Sequence, residues 1–296
     1  GLCSCLARLD VRLAFRAPLA AEPLFGHLVA TSVPGVEEWR DGAYRRTLRL
    51  PHGPGIVALS PRADHIAATL WLADPRDLTP AIARCRRLLD LDADPAAVDE
   101  SLTADRSLAP LVARGPGARV PRSVDADELA VRIILGQQVS TAGAATTTGR
   151  LAARLGEPLD DPAGGLTRLF PTMDALAGLD PAEIPGPRAR AESVVRLAGA
   201  LASGELDLGP GADRDEARRA LASVRGIGAW TVELVAMRGL GDPDAFPATD
   251  LGLARALDAA GHPDPERWRP WRSYAAQYLW ATLDHPINRL PVERTT

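Results

Sequence analysis

Residues 223–231 read Ser-Val-Arg-Gly-Ile-Gly-Ala-Trp-Thr, and they place a Gly-x-Gly turn between two stretches of helical pattern. Glycine permits positive φ, so Gly226 and Gly228 can bring bare backbone N–H groups against an anion at the start of the second helix. A phosphate of a DNA backbone is the natural partner. The stretch predicts a helix-hairpin-helix over about residues 214–239, although two packed helices also meet at such a turn for steric reasons alone.

A lone carboxylate, Asp250, follows Trp230 at an offset of 20 residues (250 − 230) and starts the next helical pattern. A short connection would return it to the face that carries the glycine turn, where it could act on whatever the turn holds. It could also, with Thr249, merely cap the helix that begins at Leu251. The two roles are compatible, because a carboxylate that caps a helix is rigidly held.

The composition is that of a globular protein, with 46% apolar and 24% charged residues in a chain of 296. This length suits two or three domains of roughly 100–150 residues each. The net charge of −4 argues mildly against nucleic-acid binding, which then requires a local patch. Residues 267–272 and Arg218-Arg219 are candidates for it. All 34 basic residues are arginine.

Cysteines and histidines are too few and too scattered to predict a zinc or iron–sulfur site. The cysteines are Cys3, Cys5 and Cys85, an odd set that suits a reducing compartment. No run approaches the ~18 apolar residues of a membrane span, and no signal peptide stands at the start. We therefore expect a cytoplasmic protein. Because the chain begins with Gly rather than Met, we also expect an upstream segment.

The pattern changes near residue 77 from strands to helices. Strands are predicted at residues 11–15, 44–50 and 65–72 and a helix at 21–33, which indicates an antiparallel α/β domain over residues 1–76. Ala-, Leu- and Arg-rich segments of helical period fill residues 77–296. Helices are expected there at residues 78–91, 95–104, 125–135 (with a carboxylate cap), 141–155, 172–178, 188–203, 214–224, 229–239, 250–260 and 271–284.

Four of the six tryptophans lie in the final quarter, among them those of Trp268-Arg-Pro-Trp-Arg-Ser-Tyr-Ala275 and Trp280. Together with residues 226–231, residues 131–140 and Asp250, they make the chain similar to the helix-hairpin-helix DNA glycosylase superfamily, and within it to the bacterial 3-methyladenine DNA glycosylase II branch. The resemblance covers nearly the whole chain. It implies an α+β fold, with a TATA-binding-protein-like antiparallel α/β domain followed by an all-α glycosylase core of two helical subdomains.

The resemblance implies that Asp250 drives base removal, and the chemistry agrees. Cleaving an N-glycosidic bond builds positive charge on the sugar, so a carboxylate aimed at C1′ stabilises the transition state and can orient or deprotonate water. One carboxylate suffices if the leaving base is already cationic. The implied activity is hydrolytic excision of alkylated bases, of the 3-methyladenine and 7-methylguanine type, from duplex DNA in base excision repair.

A flipped base needs a pocket, and electron-rich indole faces attract cationic bases. We expect Trp230 and Trp280 to form its walls, while Trp268 and Trp271 pack the C-terminal helices. By resemblance the pocket also contains Leu234, Leu251 and His27, at positions where the family has aromatic residues. His27 is interpreted as a packed histidine rather than a catalyst.

The resemblance also assigns contacts with the DNA backbone. Phosphate binding is expected at Gly226, Gly228, Ala229 and Thr231. Gln138 stands at the position of the side chain that fills the gap in the stack, where the family has an apolar residue. Such hairpins commonly hold a monovalent cation, Na⁺ or K⁺, and the backbone carbonyls of Ala222, Val224 and Ile227 would supply its ligands. No other cofactor, and no iron–sulfur cluster, is expected.

Some superfamily members also cut the DNA backbone through a Schiff base formed by a lysine in the hairpin. That position is Trp230 here, and the chain has no lysine, so a monofunctional enzyme without lyase activity is predicted. We expect it to act on damaged double-stranded DNA, away from membranes, as a monomer associated with the bacterial nucleoid and natively fused to an upstream domain.

Three alternatives remain open. The same scaffold could remove deaminated or oxidised bases. The chain could be a non-catalytic helix-hairpin-helix DNA-binding module, which the presence of Asp250 argues against. It could also be an unrelated helical protein with a coincidental turn, which predicts no salt-dependent affinity for duplex DNA.

Overall fold

A computed structural model describes residues 6–291, so Cys3 and Cys5 lie outside the described residues. The N-terminal part is an antiparallel sheet of five strands in the order β1-β5-β4-β3-β2. The strands are β1 (Ala7–Ala14), β2 (Glu37–Arg40), β3 (Ala43–Leu50), β4 (Gly53–Pro61) and β5 (His65–Leu72), with α1 (Ala21–Ala30) between β1 and β2. This sheet, followed by a helical region, confirms the predicted α+β class.

The three predicted strands correspond to β1, β3 and β5, whereas β2 and β4 were not predicted. The sequence of β4 begins with Gly53-Pro-Gly55 and ends at Pro61, which is typical of a loop. Tertiary pairing overrides this local preference, because β3 and β5 hold β4 on both sides. The predicted helix at residues 21–33 ends earlier, at Ala30.

The helical region contains all ten helices predicted for it, within a few residues at each end. An additional short helix, α4, was not predicted, since six residues carry too little periodicity. No helix among residues 6–291 has the combination of length and apolar character that crossing a membrane requires. The helices are α2 (Leu78–Leu88), α3 (Pro95–Thr103), α4 (Ala109–Arg114), α5 (Ala126–Leu135), α6 (Thr141–Leu155), α7 (Met173–Ala177), α8 (Arg188–Ser203), α9 (Arg214–Ser223), α10 (Ala229–Arg238), α11 (Leu251–Ala259) and α12 (Arg272–Trp280).

Side-chain caps fix the starts of several helices. Asp125, Ser140 and Asp213 each accept backbone N–H bonds from the first turn of α5, α6 and α9. Asp250 does the same for α11. The predicted carboxylate caps at Asp125 and Asp250 are therefore confirmed.

Two apolar cores divide the helical region into two subdomains, as predicted. One lies among α5 to α10, and the other among α3, α4 and α10 to α12. Helix α10 belongs to both, since Val235 is buried in the first core and Met237 in the second. Trp268 is 1% exposed in the second core, which confirms its packing role.

A buried charge network joins the sheet to the helical region. Arg46 on β3 donates to Glu128 on α5 at 2.8 Å, and Arg132 on α5 donates to Glu37 on β2 at 3.0 Å. Burial would raise the pKa of Glu37, but the guanidiniums of Arg132 and Arg46 outweigh it and hold that pKa low. Because breaking a buried ion pair is costly, the network fixes the sheet against the helices.

Helix α2 packs with the sheet rather than with the other helices. Ala81, Cys85 and Leu88 on its buried face belong to the core of the sheet. The division into residues 1–76 and 77–296 stays a prediction.

Candidate active site

A cavity of about 340 Å³ opens between α1 of the sheet domain and the helices α10, α11 and α12. Three turns of α10 contribute Trp230, Leu234 and Arg238, whose spacing of four residues places them on one face. Asp250 enters from the start of α11 and Trp280 from the end of α12. The chain beyond α12 forms another wall with residues 281, 283, 285, 287 and 288, and residues 115, 118, 119, 121 and 141 complete the lining.

Three donors hold the Asp250 carboxylate. Its Oδ1 accepts the backbone N–H of Leu253 at 2.9 Å and the indole N–H of Trp280 at 3.0 Å. Its Oδ2 accepts the indole N–H of Trp230 at 3.0 Å. Asp250 thus caps α11 and lines the cavity at once, with an orientation fixed from both sides. Its catalytic role remains a prediction.

The structure brings four of the five predicted pocket residues together. Trp230, Trp280, Leu234 and His27 all line the cavity. Leu251 does not, and the prediction for it is wrong. Leu251 is the first residue of α11 and is 76% exposed.

Arg238 is a cavity residue that the sequence analysis missed. Its guanidinium lies over the ring of Trp280, 5.6 Å from the ring centroid, and its Nη1 donates to His27 Nε2 at 2.6 Å. The signal was available, since Arg238 follows Leu234 by one helical turn. Burial, together with the charges of Arg238 and Arg132, lowers the pKa of His27 well below its ordinary value, so this histidine is neutral.

Different constraints act on the two glycines of the hairpin turn. Gly226 has φ +94°, and a Cβ there would overlap Ser193 Oγ on α8, which donates to the carbonyl of Arg225 at 3.1 Å. At Gly228, by contrast, a Cβ would meet no protein atom within 4 Å. Packing within the described chain therefore requires the first glycine only. The open space at the second is available to an external group.

The predicted phosphate-binding set is only partly exposed. Gly226, Gly228 and Ala229 lie at the surface of the turn. Thr231 is 2% exposed, and its hydroxyl accepts a hydrogen bond from Gln137 at 3.0 Å. The Thr231 side chain is thus used inside the protein, while phosphate binding by its backbone N–H in the first turn of α10 stays a prediction.

Gln138 stands at an exposed loop tip between α5 and α6, with φ +57°. Its neighbour Gln137 fixes the loop from beneath, by the bond to Thr231 and by accepting Arg190 Nη2 at 2.6 Å. The loop thereby keeps a defined position against the start of α10.

Three of the five arginines in the predicted basic patches are paired with acids. Arg218 pairs with Glu233 and Asp242, while Arg269 and Arg272 pair with Asp244 and Glu266. These three arginines are used inside the protein, whereas Arg219 and Arg267, the other members of the predicted patches, are exposed and form no ion pair with the described residues. Among the described residues, Arg225 in the hairpin turn and Arg255 on α11 are exposed and form no ion pair.

Two family models together cover most of the chain. The AlkA N-terminal domain matches residues 10–125, and the HhH-GPD superfamily of base excision DNA repair proteins matches residues 131–268. Among solved structures, the 3-methyladenine DNA-glycosylase from Archaeoglobus fulgidus has a TM-score of 0.75 at 23% identity, over 93% of this chain and 97% of that one. This likeness shows the fold.

Two curated relatives are closer in sequence. The chain is 54% identical over 291 residues to the probable bifunctional transcriptional activator/DNA repair enzyme AlkA of Mycobacterium tuberculosis, covering 96% of this chain and 59% of that longer protein. It is 36% identical over 270 residues to the DNA-3-methyladenine glycosylase 2 of Escherichia coli, covering 88% of this chain and 92% of that protein. The chain therefore belongs to the HhH-GPD superfamily of base excision DNA repair proteins, in the branch of the bacterial 3-methyladenine DNA glycosylases II.

Proposed function

We propose that this protein is a monofunctional DNA N-glycosylase that flips alkylated bases out of duplex DNA and hydrolyses their glycosidic bond. One observation carries the proposal. The Asp250 carboxylate is fixed by two indole N–H groups inside a cavity that adjoins the helix-hairpin-helix. The family's relatives named as 3-methyladenine glycosylases support alkylated purines as the substrate class.

The chemistry follows from the fixed charge of Asp250. Positive charge develops at C1′ as the glycosidic bond lengthens, and a preorganised carboxylate stabilises it without reorganisation cost. The same carboxylate can orient the attacking water and take its proton. A base alkylated at N3 or N7 is cationic and leaves as a neutral molecule, so it needs no proton from an acid.

The turn residues would hold the strand on which the damaged base lies. The N–H groups of Gly228 and Ala229 start α10, where the helix dipole favours a phosphate, and the open space beside Gly228 admits one. We further propose that backbone carbonyls of the same turn hold a monovalent cation. The carbonyl of Ala222 lies in the last turn of α9, where helical donors run out, while Val224 and Ile227 follow in the turn.

Gln138 at its exposed tip is our proposal for the residue that fills the gap left by the flipped base. An amide is a polar replacement for the expected apolar side chain, yet its position at a loop tip with positive φ projects it from the surface. Its contact with DNA would be set by the anchored residue beneath it, Gln137.

The absence of lysine from the sequence supports hydrolysis without strand cleavage, since no side-chain amine can form a Schiff base. We further propose that the chain acts on double-stranded DNA as a monomer. The longer M. tuberculosis relative favours a native fusion to a further segment, because its printed name includes transcriptional activation.

Single-turnover incubation with methylated duplex DNA, followed by chromatography of the released bases, tests the proposal. We expect release of 3-methyladenine and 7-methylguanine and an intact strand that breaks only on later alkali treatment. A borohydride-trapped covalent adduct would overturn the monofunctional assignment. Binding of the duplex without release of any base would favour the DNA-binding module, and a panel of deaminated and oxidised lesions distinguishes the other enzymatic alternative.

A further inference from the structure

The loop between α5 and α6 carries a strained residue at its tip. Gln138 has φ +57°, in the left-handed region that residues other than glycine rarely adopt. Such a conformation persists only where neighbouring contacts impose it, and residues of this kind cluster at functional sites. Gln138 is exposed, so it does not hold itself in place. The contacts that hold the tip are made by the residue before it.

Gln137 ties the loop to two helices. Its side-chain Nε2 donates to Oγ1 of the buried Thr231, in the first turn of α10, at 3.0 Å. Its backbone carbonyl accepts Nη2 of Arg190, near the start of α8, at 2.6 Å. The amide of Gln137 is thus used inside the protein, where one contact holds its side chain and the other its backbone.

Helix α8 also holds the hairpin turn. Ser193 follows Arg190 by three residues, so both lie on one face of the helix. Ser193 Oγ donates to the carbonyl of Arg225, which lies in the turn, at 3.1 Å. One face of α8 therefore anchors both the loop with Gln138 and the turn with Gly228, and this common support fixes their separation.

On the basis of the proposed glycosylase activity, with Gln138 as the residue that fills the gap, we propose that Gln137 and Arg190 are positioning residues for base flipping. They hold the loop tip at a fixed distance from the turn that would bind the strand. The tip side chain then enters the gap from a loop that is already ordered, so the extruded state carries no entropic cost of ordering it.

The opposite base decides how much this preorganisation matters. Extruding a paired base breaks its hydrogen bonds with the partner, and the extruded base can return to the pair. A filled gap opposes that return. Opposite a tetrahydrofuran abasic-site analogue there is no pair to break or re-form, while the glycosidic bond to be cleaved is the same. The ratio of the two release rates therefore reports on flipping and not on hydrolysis.

The test measures single-turnover release of 7-methylguanine, with protein in saturating excess, from two duplexes that differ in having cytosine or the analogue opposite the lesion. We expect Gln137→Ala to slow release opposite cytosine by about three- to tenfold, the equivalent of one hydrogen bond. Opposite the analogue the rate should change by less than about twofold, because extrusion of an unpaired base costs least. Thermal unfolding of each protein checks that it is folded.

Further variants test how Gln137 acts. Gln138→Ala should reproduce the selective loss, and the double variant should be no slower than Gln138→Ala alone, because the anchor acts through the tip. Arg190→Met removes the other anchor and should change the ratio in the same direction, which provides an independent test if Gln137→Ala fails to fold. Arg188→Met is the matched control on α8, since that side chain is 82% exposed and pairs with Glu192 on its own helix. It should leave the ratio unchanged.

An equal fall with both duplexes for Gln137→Ala, or additive losses in the double variant, would overturn the inference and leave the proposed function intact. Unchanged rates for Gln137→Ala would overturn it as well. If the wild-type protein released 7-methylguanine from neither duplex, the proposed function would fail and the inference with it.

Discussion

Replacing Asp250 by asparagine removes the charge of the proposed catalytic group while keeping its size. If the carboxylate lies about 4 Å from the developing cation at C1′, the lost attraction is about 4 kcal/mol at an effective dielectric constant near 20. A barrier increase of that size corresponds to roughly a thousandfold fall in the single-turnover rate of base release. We expect this loss with 7-methylguanine in duplex DNA.

The same substitution should have a smaller effect on folding. Asparagine is a good N-cap, so the bond from the Leu253 N–H can persist. The amide NH₂, however, would then take the place of Oδ2 and face the indole N–H of Trp230, which would lose its acceptor. That costs about 1–3 kcal/mol, which lowers Tm by several degrees and leaves the protein folded at 25 °C.

Rate and stability are therefore measured together, by chromatography of released base and by thermal unfolding, with duplex affinity as a third measurement. Asp258→Asn is the matched control, because Asp258 lies on α11 with a side chain that is 67% exposed. It should change neither rate nor Tm appreciably. If Asp250→Asn kept a rate within tenfold of wild type, the electrostatic role assigned to this carboxylate would be refuted.

Three further outcomes are expected. Trp230→Phe removes an indole donor to the proposed catalytic carboxylate and should slow release by about ten- to a hundredfold. Trp39→Phe is the control, because the buried indole N–H of Trp39 has no partner among the described residues, and an equal effect of this substitution would contradict the reasoning. Gly228→Ala should keep Tm but weaken duplex binding, because the new Cβ fills only the open space beside the turn. Gly226→Ala should lower Tm by about 3–8 °C, through strain at φ +94° and overlap with α8. A lower Tm for Gly228→Ala than for Gly226→Ala would be incompatible with this assignment. Burial and neighbouring carboxylates raise the pKa of Asp127 to about 6, so its ionisation costs stability as pH rises from about 4 through 6. Asp127→Asn should therefore raise the free energy of unfolding by about 1 kcal/mol at pH 7 and leave it unchanged at pH 4, as measured by denaturant unfolding. An equal increase at both pH values would exclude this origin.

Local patterns predicted much of the fold. The helical period gave α5, α8 and both helices of the hairpin within a residue or two, because an amphipathic helix records its buried face in its own sequence. Strand β4 escaped prediction because its glycines and prolines favour a loop, and the hydrogen bonds that make it a strand come from β3 and β5.

In the candidate active site, too, the sequence determined some features and packing decided the others. The sequence alone determined the glycine turn, the capping carboxylate Asp250 and the tryptophans Trp230 and Trp280, because each is recognised by its residue type and its position along the chain. Only the tertiary structure decided that Leu251 faces solvent, that Arg218, Arg269 and Arg272 are paired with acids, and that Arg238 meets His27 across the cavity. The physical reason is that burial and charge pairing depend on which distant segments meet in space, and α1 and α10 are brought together by packing over some two hundred intervening residues (238 − 27 = 211).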